Sequence, residues 1–361
     1  MGAQNRPANF LEIYPGRFPG GSPEPVGPDR LSWAWSGGQS PGRRRSRFWS
    51  VPGFEFCMRL GLKIDVDTLA GLRRGVPVLV RVLGQRRIRA SFFVALGPDN
   101  SGRAVFRVFR HRGFFQKMLR TRAPAVYGLK TILSGTVLPA PIISKYAADI
   151  LPCLEDAGHE VGLHGWDHVR WHDGLLQMSA EDVKKEVNCA QEAYTHILKH
   201  PARSFAAPGW QASAVSRAVL AEAGFLYASD TRGQGPYWPC FGTEKNFLLE
   251  IPTTLPTLDE LWGFGGLSSQ DFFQLIASRL IRGQPQIFTV HAEIEGGPCL
   301  PQFASFLDQV LAQGVEFFAL EDWARELLKD PQKIPVAEVC QGRLPGRAGT
   351  VSRQAGQEAA V

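Results

Sequence analysis

From Met58 to Leu328 the apolar residues switch repeatedly between two spacings. Short runs rich in β-branched and aromatic residues read as strands: Leu60–Ile64, Ala90–Leu96, Glu160–Leu163, Ser204–Ala207, Phe225–Ser229, Leu248–Pro252, Gln286–His291 and Val315–Ala319. Between them, helices are expected over Val76–Arg86, Lys145–Ala157, Ser179–Leu198, Ser213–Ala223, Ser269–Arg282, Pro301–Gln313 and Asp322–Leu328. The punctuation agrees. Pro77 suits a first helical turn, Ser179 with Asp182 makes a capping-box-like start, and Gly158 and Gly224 stand where helices should stop. Strands alternating with helices predict an α/β fold with a parallel sheet.

Both ends depart from this pattern. Residues 1–57 are crowded with Pro, Gly, Ser and Arg and show neither period, which predicts a disordered extension. Met58 leads straight into the first strand, so the natural protein is expected to start there. Residues 58–330 form the expected catalytic domain, and the Gly-, Arg- and Gln-rich residues 331–361 are expected to be poorly ordered.

The net charge of +6 gathers at two places, Arg43–Arg47 and Arg103–Arg122. The second carries seven Lys and Arg with Phe106, Phe109, Phe114 and Phe115 and no acid. It lies in an insertion at about 101–144. Basic residues interleaved with aromatics suit a membrane interface with anionic lipids. The six cysteines show no paired spacing, which reads as reduced cytosolic thiols. No apolar run is long enough for a transmembrane helix, and the N-terminus lacks a signal-peptide core.

The candidate chemistry falls just after strand ends, where parallel barrels gather it. Asp65 and Asp67 are two residues apart, so on a strand they share a face. His164 and His168 have a spacing that lets two imidazoles converge on one ion. One carboxylate and two imidazoles can hold a divalent metal with positions open for water and substrate, leaving a second carboxylate free as a base. His291 ends an apolar strand and can serve as a general acid; Asp230 ends another and can orient His291 or bind substrate. Mixed oxygen and nitrogen ligation favours zinc and also suits Mn, Co or Fe.

At these residues the sequence resembles the polysaccharide deacetylase, or NodB-homology, family. The resemblance implies a distorted (β/α) barrel of about seven parallel strands. It implies Asp65 as base, Asp67, His164 and His168 as metal ligands, and His291 as acid. The blocks Ile64–Thr68, Val94–Asn100, Glu160–His168, Pro208–Gln211, Ser229–Gly233 and Val290–Gly296 are similar in particular to the branch that deformylates 4-deoxy-4-formamido-L-arabinose linked to undecaprenyl phosphate. That branch implies lipid A modification with aminoarabinose, polymyxin resistance, a lipid-linked sugar substrate, and a cytoplasmic enzyme at the inner membrane. One position departs from the family: Ala206 stands where many members place an arginine that holds the base. A deacetylase of N-acetylated cell-wall sugars is the other enzymatic reading and would need export. A basic nucleic-acid-binding protein has only the arginine runs in its favour, with no nucleic-acid motif, so nucleic acid is not expected as a partner.

Overall fold

The computed structural model describes residues 57–106, 133–246, 248–347 and 349–356. The expected extension at 1–56 and the central part of the basic insertion lie outside the described residues. Twelve strands are found among them: β1 Met58–Val66, β2 Ser91–Val94, β3 Glu160–Leu163, β4 Ser204–Phe205, β5 Tyr227–Ala228, β6 Trp238–Phe241, β7 Glu244–Lys245, β8 Leu249–Glu250, β9 Gln286–His291, β10 Val315–Phe318, β11 Val336–Gly342 and β12 Val351–Gln354.

Seven parallel strands follow one another in the order β9-β1-β2-β3-β4-β5-β8, and β10 pairs with the start of β1. The gap between β8 and β9 is bridged just beyond β8. Thr254 N and Leu255 N both donate to Ile287 O at 3.1 Å, and the Thr253 and Thr289 hydroxyls meet at 2.8 Å. The result is a distorted barrel, as the family resemblance implied.

Alternation along the strands creates two apolar layers. Leu60, Leu62, Ile64 and Val66 of β1, all fully buried, pack outward against the helices. The inner layer takes Phe93, Ala206, Tyr227, Leu249, Ile287 and Phe318 from six successive or neighbouring strand ends. A buried carboxylate laces the interior together. Glu160 accepts from Ser91 at 2.5 Å, and from Ser204 and Tyr227 at 2.6 Å, linking β2, β3, β4 and β5. Burial raises its pKa, and these donors oppose the rise.

Two expectations change. The helix expected over Lys145–Ala157 is a short turn at Ile143–Tyr146 followed by a helix at Ile150–Asp156. Residues 331–361, expected to be poorly ordered, supply β11 and β12 of a second sheet in the order β12-β11-β6-β7. Its anchors are polar and distant in sequence, so composition conceals them. Ala212 N donates to Ser352 Oγ at 2.9 Å, and Arg232 and Gln354 exchange backbone bonds with the same strand region.

His159, just before β3, gives the fold an acid-sensitive point. Its Nδ1 accepts from Ala90 N at 3.3 Å and its ring meets the edge of Phe92. Burial, aided by Arg89, holds its pKa down at about 4. The unfolded chain therefore takes up this proton first. The stability contribution is complete above about pH 6.5 and is lost as pH falls toward 4, by on the order of 3 kcal/mol at most. Urea midpoints at pH 7 and 4.5 should fall further for the wild type than for His159→Gln, which keeps an acceptor for Ala90. Equal falls would show that His159 does not carry this sensitivity.

Candidate active site

Asp65 lies near the end of β1 and is paired in register with His291 at the end of β9. Asp67 follows β1, and His164 follows β3. Gly165, at φ 76°, lets the chain turn sharply from His164 toward the helix His168–Gly174. Asp167 caps that helix by accepting from Val169 N and Arg170 N at 3.1 and 3.0 Å. Strand end, loop and helix start thus bring both histidines to Asp67.

His164 Nε2 lies 3.2 Å from Asp67 Oδ1, and His168 Nε2 lies 3.5 Å from Asp67 Oδ2. Donor atoms of all three residues fall within 4.8 Å of one another. The His164 ring is fixed from behind: its Nδ1 is 2.7 Å from the Ala206 carbonyl oxygen. A carbonyl only accepts, so Nδ1 carries a proton, which leaves Nε2 as the nitrogen that faces Asp67 and could give a lone pair to a metal. Asp67 Oδ1 is buried without a hydrogen bond. Electron-pair donors converging this closely are stable around a cation, so the residues fit a divalent metal. Burial opposes ionisation of Asp67, but His168, His164 and His291 outweigh it and hold its carboxyl well below the usual range.

His291 is the opposite case. Burial disfavours its charge, yet Asp259, Asp67, Asp65 and Glu295 raise its pKa to about 9. Its backbone N donates to Glu295 Oε2 at 2.8 Å. Asp230 lies within reach of the charge of Lys63 and is not among the carboxylates acting most strongly on His291. It is fully buried and accepts from Arg217 at 3.0 Å, in a cluster with Glu250.

Several residues build the site without having been singled out from the sequence. Glu293 Oε1 accepts from Asp67 N, Thr68 N and Thr68 Oγ1 at 3.0, 2.8 and 2.8 Å, clamping the backbone at Asp67. Burial, reinforced by Asp67, raises its pKa to about 8. Asp99 Oδ2 accepts from Leu69 N at 3.0 Å, and Asn100 donates to Asp167 at 2.6 Å. The loop after β2 thereby ties the aspartate loop to the histidine loop. Gly209 allows a further close approach: its φ is 66°, and a Cβ there would lie 1.9 Å from His172 Cδ2. The only sequence signal for Glu293 and Asp99 was their presence in the blocks quoted above.

The Glu293 clamp should be measurable through metal affinity. Glu293→Ala frees three donors and should weaken zinc binding about 10- to 100-fold in a chelator competition. Glu293→Gln keeps an accepting oxygen and should remain near wild type. Wild-type affinity in the alanine variant would show that the clamp does not position Asp67.

Comparison with known proteins agrees with this geometry. The polysaccharide deacetylase family model matches residues 64–228. A protein assigned as the 4-deoxy-4-formamido-L-arabinose-phosphoundecaprenol deformylase ArnD of Shewanella sediminis is 34% identical over 299 residues, covering 82% of this chain and 95% of its own. Its counterpart in Wigglesworthia glossinidia brevipalpis is 34% identical over 288 residues, covering 79% and 98%. Among solved structures, one assigned as a polysaccharide deacetylase from Mycobacterium smegmatis shares the fold, with a TM-score of 0.58 at 18% identity, covering 83% of this chain and 99% of that one. The PuuE allantoinase structure shares it with a TM-score of 0.52 at 15% identity, covering 77% and 92%. The chain belongs to the polysaccharide deacetylase family, among relatives of the ArnD deformylases.

Proposed function

We propose that this hydrolase removes the N-formyl group from undecaprenyl phosphate 4-deoxy-4-formamido-L-arabinose, releasing formate and leaving the lipid-linked aminoarabinose used in lipid A modification and polymyxin resistance. The observation that carries the substrate is the 34% identity extending over 95% of a relative named for that reaction. The convergence of Asp67, His164 and His168 beside Asp65 supports the chemistry.

In this reading Asp67, His164 and His168 hold a divalent metal, zinc in the first instance. When bound, it would supply Lewis acidity, easing water deprotonation and polarising the formyl carbonyl. Asp65 takes the proton from the attacking water as its oxygen bonds to the formyl carbon. Its Oδ1 is buried and without a hydrogen bond, which leaves it free for that proton. His291, whose pKa Asp259, Asp67, Asp65 and Glu295 raise to about 9 before a metal binds, is the acid that donates to the sugar nitrogen as the carbon–nitrogen bond breaks. One water is consumed, and one formate and one amine leave.

The lipid places the enzyme at the cytoplasmic face of the inner membrane. Val137, Leu138, Tyr146, Leu176 and Phe264 are large exposed apolar residues. All five lie between a strand's C-terminal end and the helix that returns to the next strand, which is the side carrying the site. Arg73, Arg74 and Lys145 are exposed in the same set of connections. Apolar and basic residues together favour an anionic lipid surface. Among the described residues, no helix is long and apolar enough to cross a membrane.

Purified protein supplied with the formamido-arabinose lipid should release formate, and a chelator should abolish release until zinc is restored. Asp65→Asn and His291→Asn should each lower kcat by about 10²- to 10⁴-fold while retaining metal. Release of acetate from N-acetylated sugars, with none of formate, would replace this reading with that of a cell-wall deacetylase.

A further inference from the structure

A buried cation, Lys63, lies beside the proposed base. It is fully buried on the inward face of β1, two residues before Asp65. Its Nζ donates to Ser229 O at 3.0 Å and stands 3.6 Å from Asp65 Oδ2. The ammonium also lies over two aromatic faces, 5.5 Å from the centre of Phe93 and 5.9 Å from that of Trp210. Burying an ammonium costs several kcal/mol unless charge and hydrogen bonds compensate. Asp65 supplies the carboxylate within ion-pair range; Asp230, engaged by Arg217 at 3.0 Å, also feels the charge of Lys63 from farther away. Ala206, in the third motif, brings no charge to this place.

We infer that Lys63 is a positioning residue for Asp65: it anchors Oδ2 from the barrel interior, so that Oδ1 faces the reacting water. Three features carry this. The strand period fixes Lys63 and Asp65 on one face, so their proximity is built into β1. The two aromatic faces and the Ser229 carbonyl hold the ammonium on the Oδ2 side of Asp65, 3.6 Å from that oxygen. The other oxygen, Oδ1, is buried and carries no hydrogen bond, as a group reserved for a transferred proton should be. Lys63 itself touches no reacting atom.

The inference rests on the proposed role of Asp65, so wild-type turnover is established first. Where formate is not released but acetate is, the substrate reading fails, and the Lys63 series is run on the acetylated sugar. Lys63→Met should lower kcat about a hundredfold, change KM less than about threefold, and leave zinc affinity unaltered. Lys63→Arg, which restores a cation able to hold a carboxylate, should recover most of the loss and guards against misfolding of the methionine variant. In a double-mutant cycle, Lys63→Met should cost almost nothing further once Asp65→Asn is present, because one residue acts through the other. A crystal structure of the zinc-loaded Lys63→Met protein should show the Asp65 carboxylate rotated away from its present direction. Losses that add in the double variant, or an unmoved Asp65 carboxylate, would reduce Lys63 to a structural cation.

Discussion

Strand β1 is hydrogen-bonded to three strands at once. Leu60 and Gly61 pair with both β9 and β10, and Lys63 to Asp65 pair with both β9 and β2. Strands β10 and β2 therefore share one edge in succession, while β9 occupies the other. A strand held on both edges cannot slip without turning every side chain to the opposite face. Here such a slip would drive Lys63 and Asp65 into the apolar layer under the helices and remove four aliphatic residues from it. The register that stabilises the barrel is the same register that aims the proposed base.

The loops at the site are fixed by carboxylates used as backbone acceptors. Glu293 holds the turn at Asp67, Asp99 holds Leu69, and Glu186 accepts from Asp167 N at 3.0 Å. Each replaces solvent for amide groups that would otherwise be orphaned in a dry cleft. Together they leave the side chains of Asp67, His164 and His168 little freedom. An ion binding there would meet donors already gathered, with little ordering entropy to oppose it.

How much of this could be read from the sequence depended on how local each signal was. Asp65 with Asp67, and His164 with His168, are close pairs in the chain, and their positions after strand ends followed from periodicity. Each main-sheet strand was also visible, because burial on both faces demands a continuous apolar run. What the sequence did not reveal rests on polar contacts between elements. Asp230 stands after its strand just as His291 does, yet Arg217, on the helix before it, claims it. Glu293 reaches its partners across 225 residues or more. The strands near the C-terminus are anchored through Ser352 to Ala212, 140 residues away. Polar contacts between elements, whether 13 or 225 residues apart, leave no periodic trace.

The turn Pro208–Trp210 shows how these distant contacts converge. Gly209 and Trp210 are both left-handed, at φ 66° and 52°, and the second is a bulky residue for which that conformation is costly. The surroundings hold it there. Trp210 donates to Thr253 at 3.1 Å, while Arg347 and Arg232 lie 4.5 and 5.0 Å from its ring centre and Lys63 lies beyond them at 5.9 Å. Arg347 comes from the segment between β11 and β12 and also donates to Gly209 O at 3.2 Å. The same stretch of chain offers the Ala206 carbonyl that sets the His164 tautomer. The C-terminal segment therefore reaches His164 through Arg347, the strained turn and the carbonyl behind its ring. Its polar composition is what that task requires: cations to cover an indole and hydroxyls to tie loops, in a place where an apolar tail would have nothing to bind.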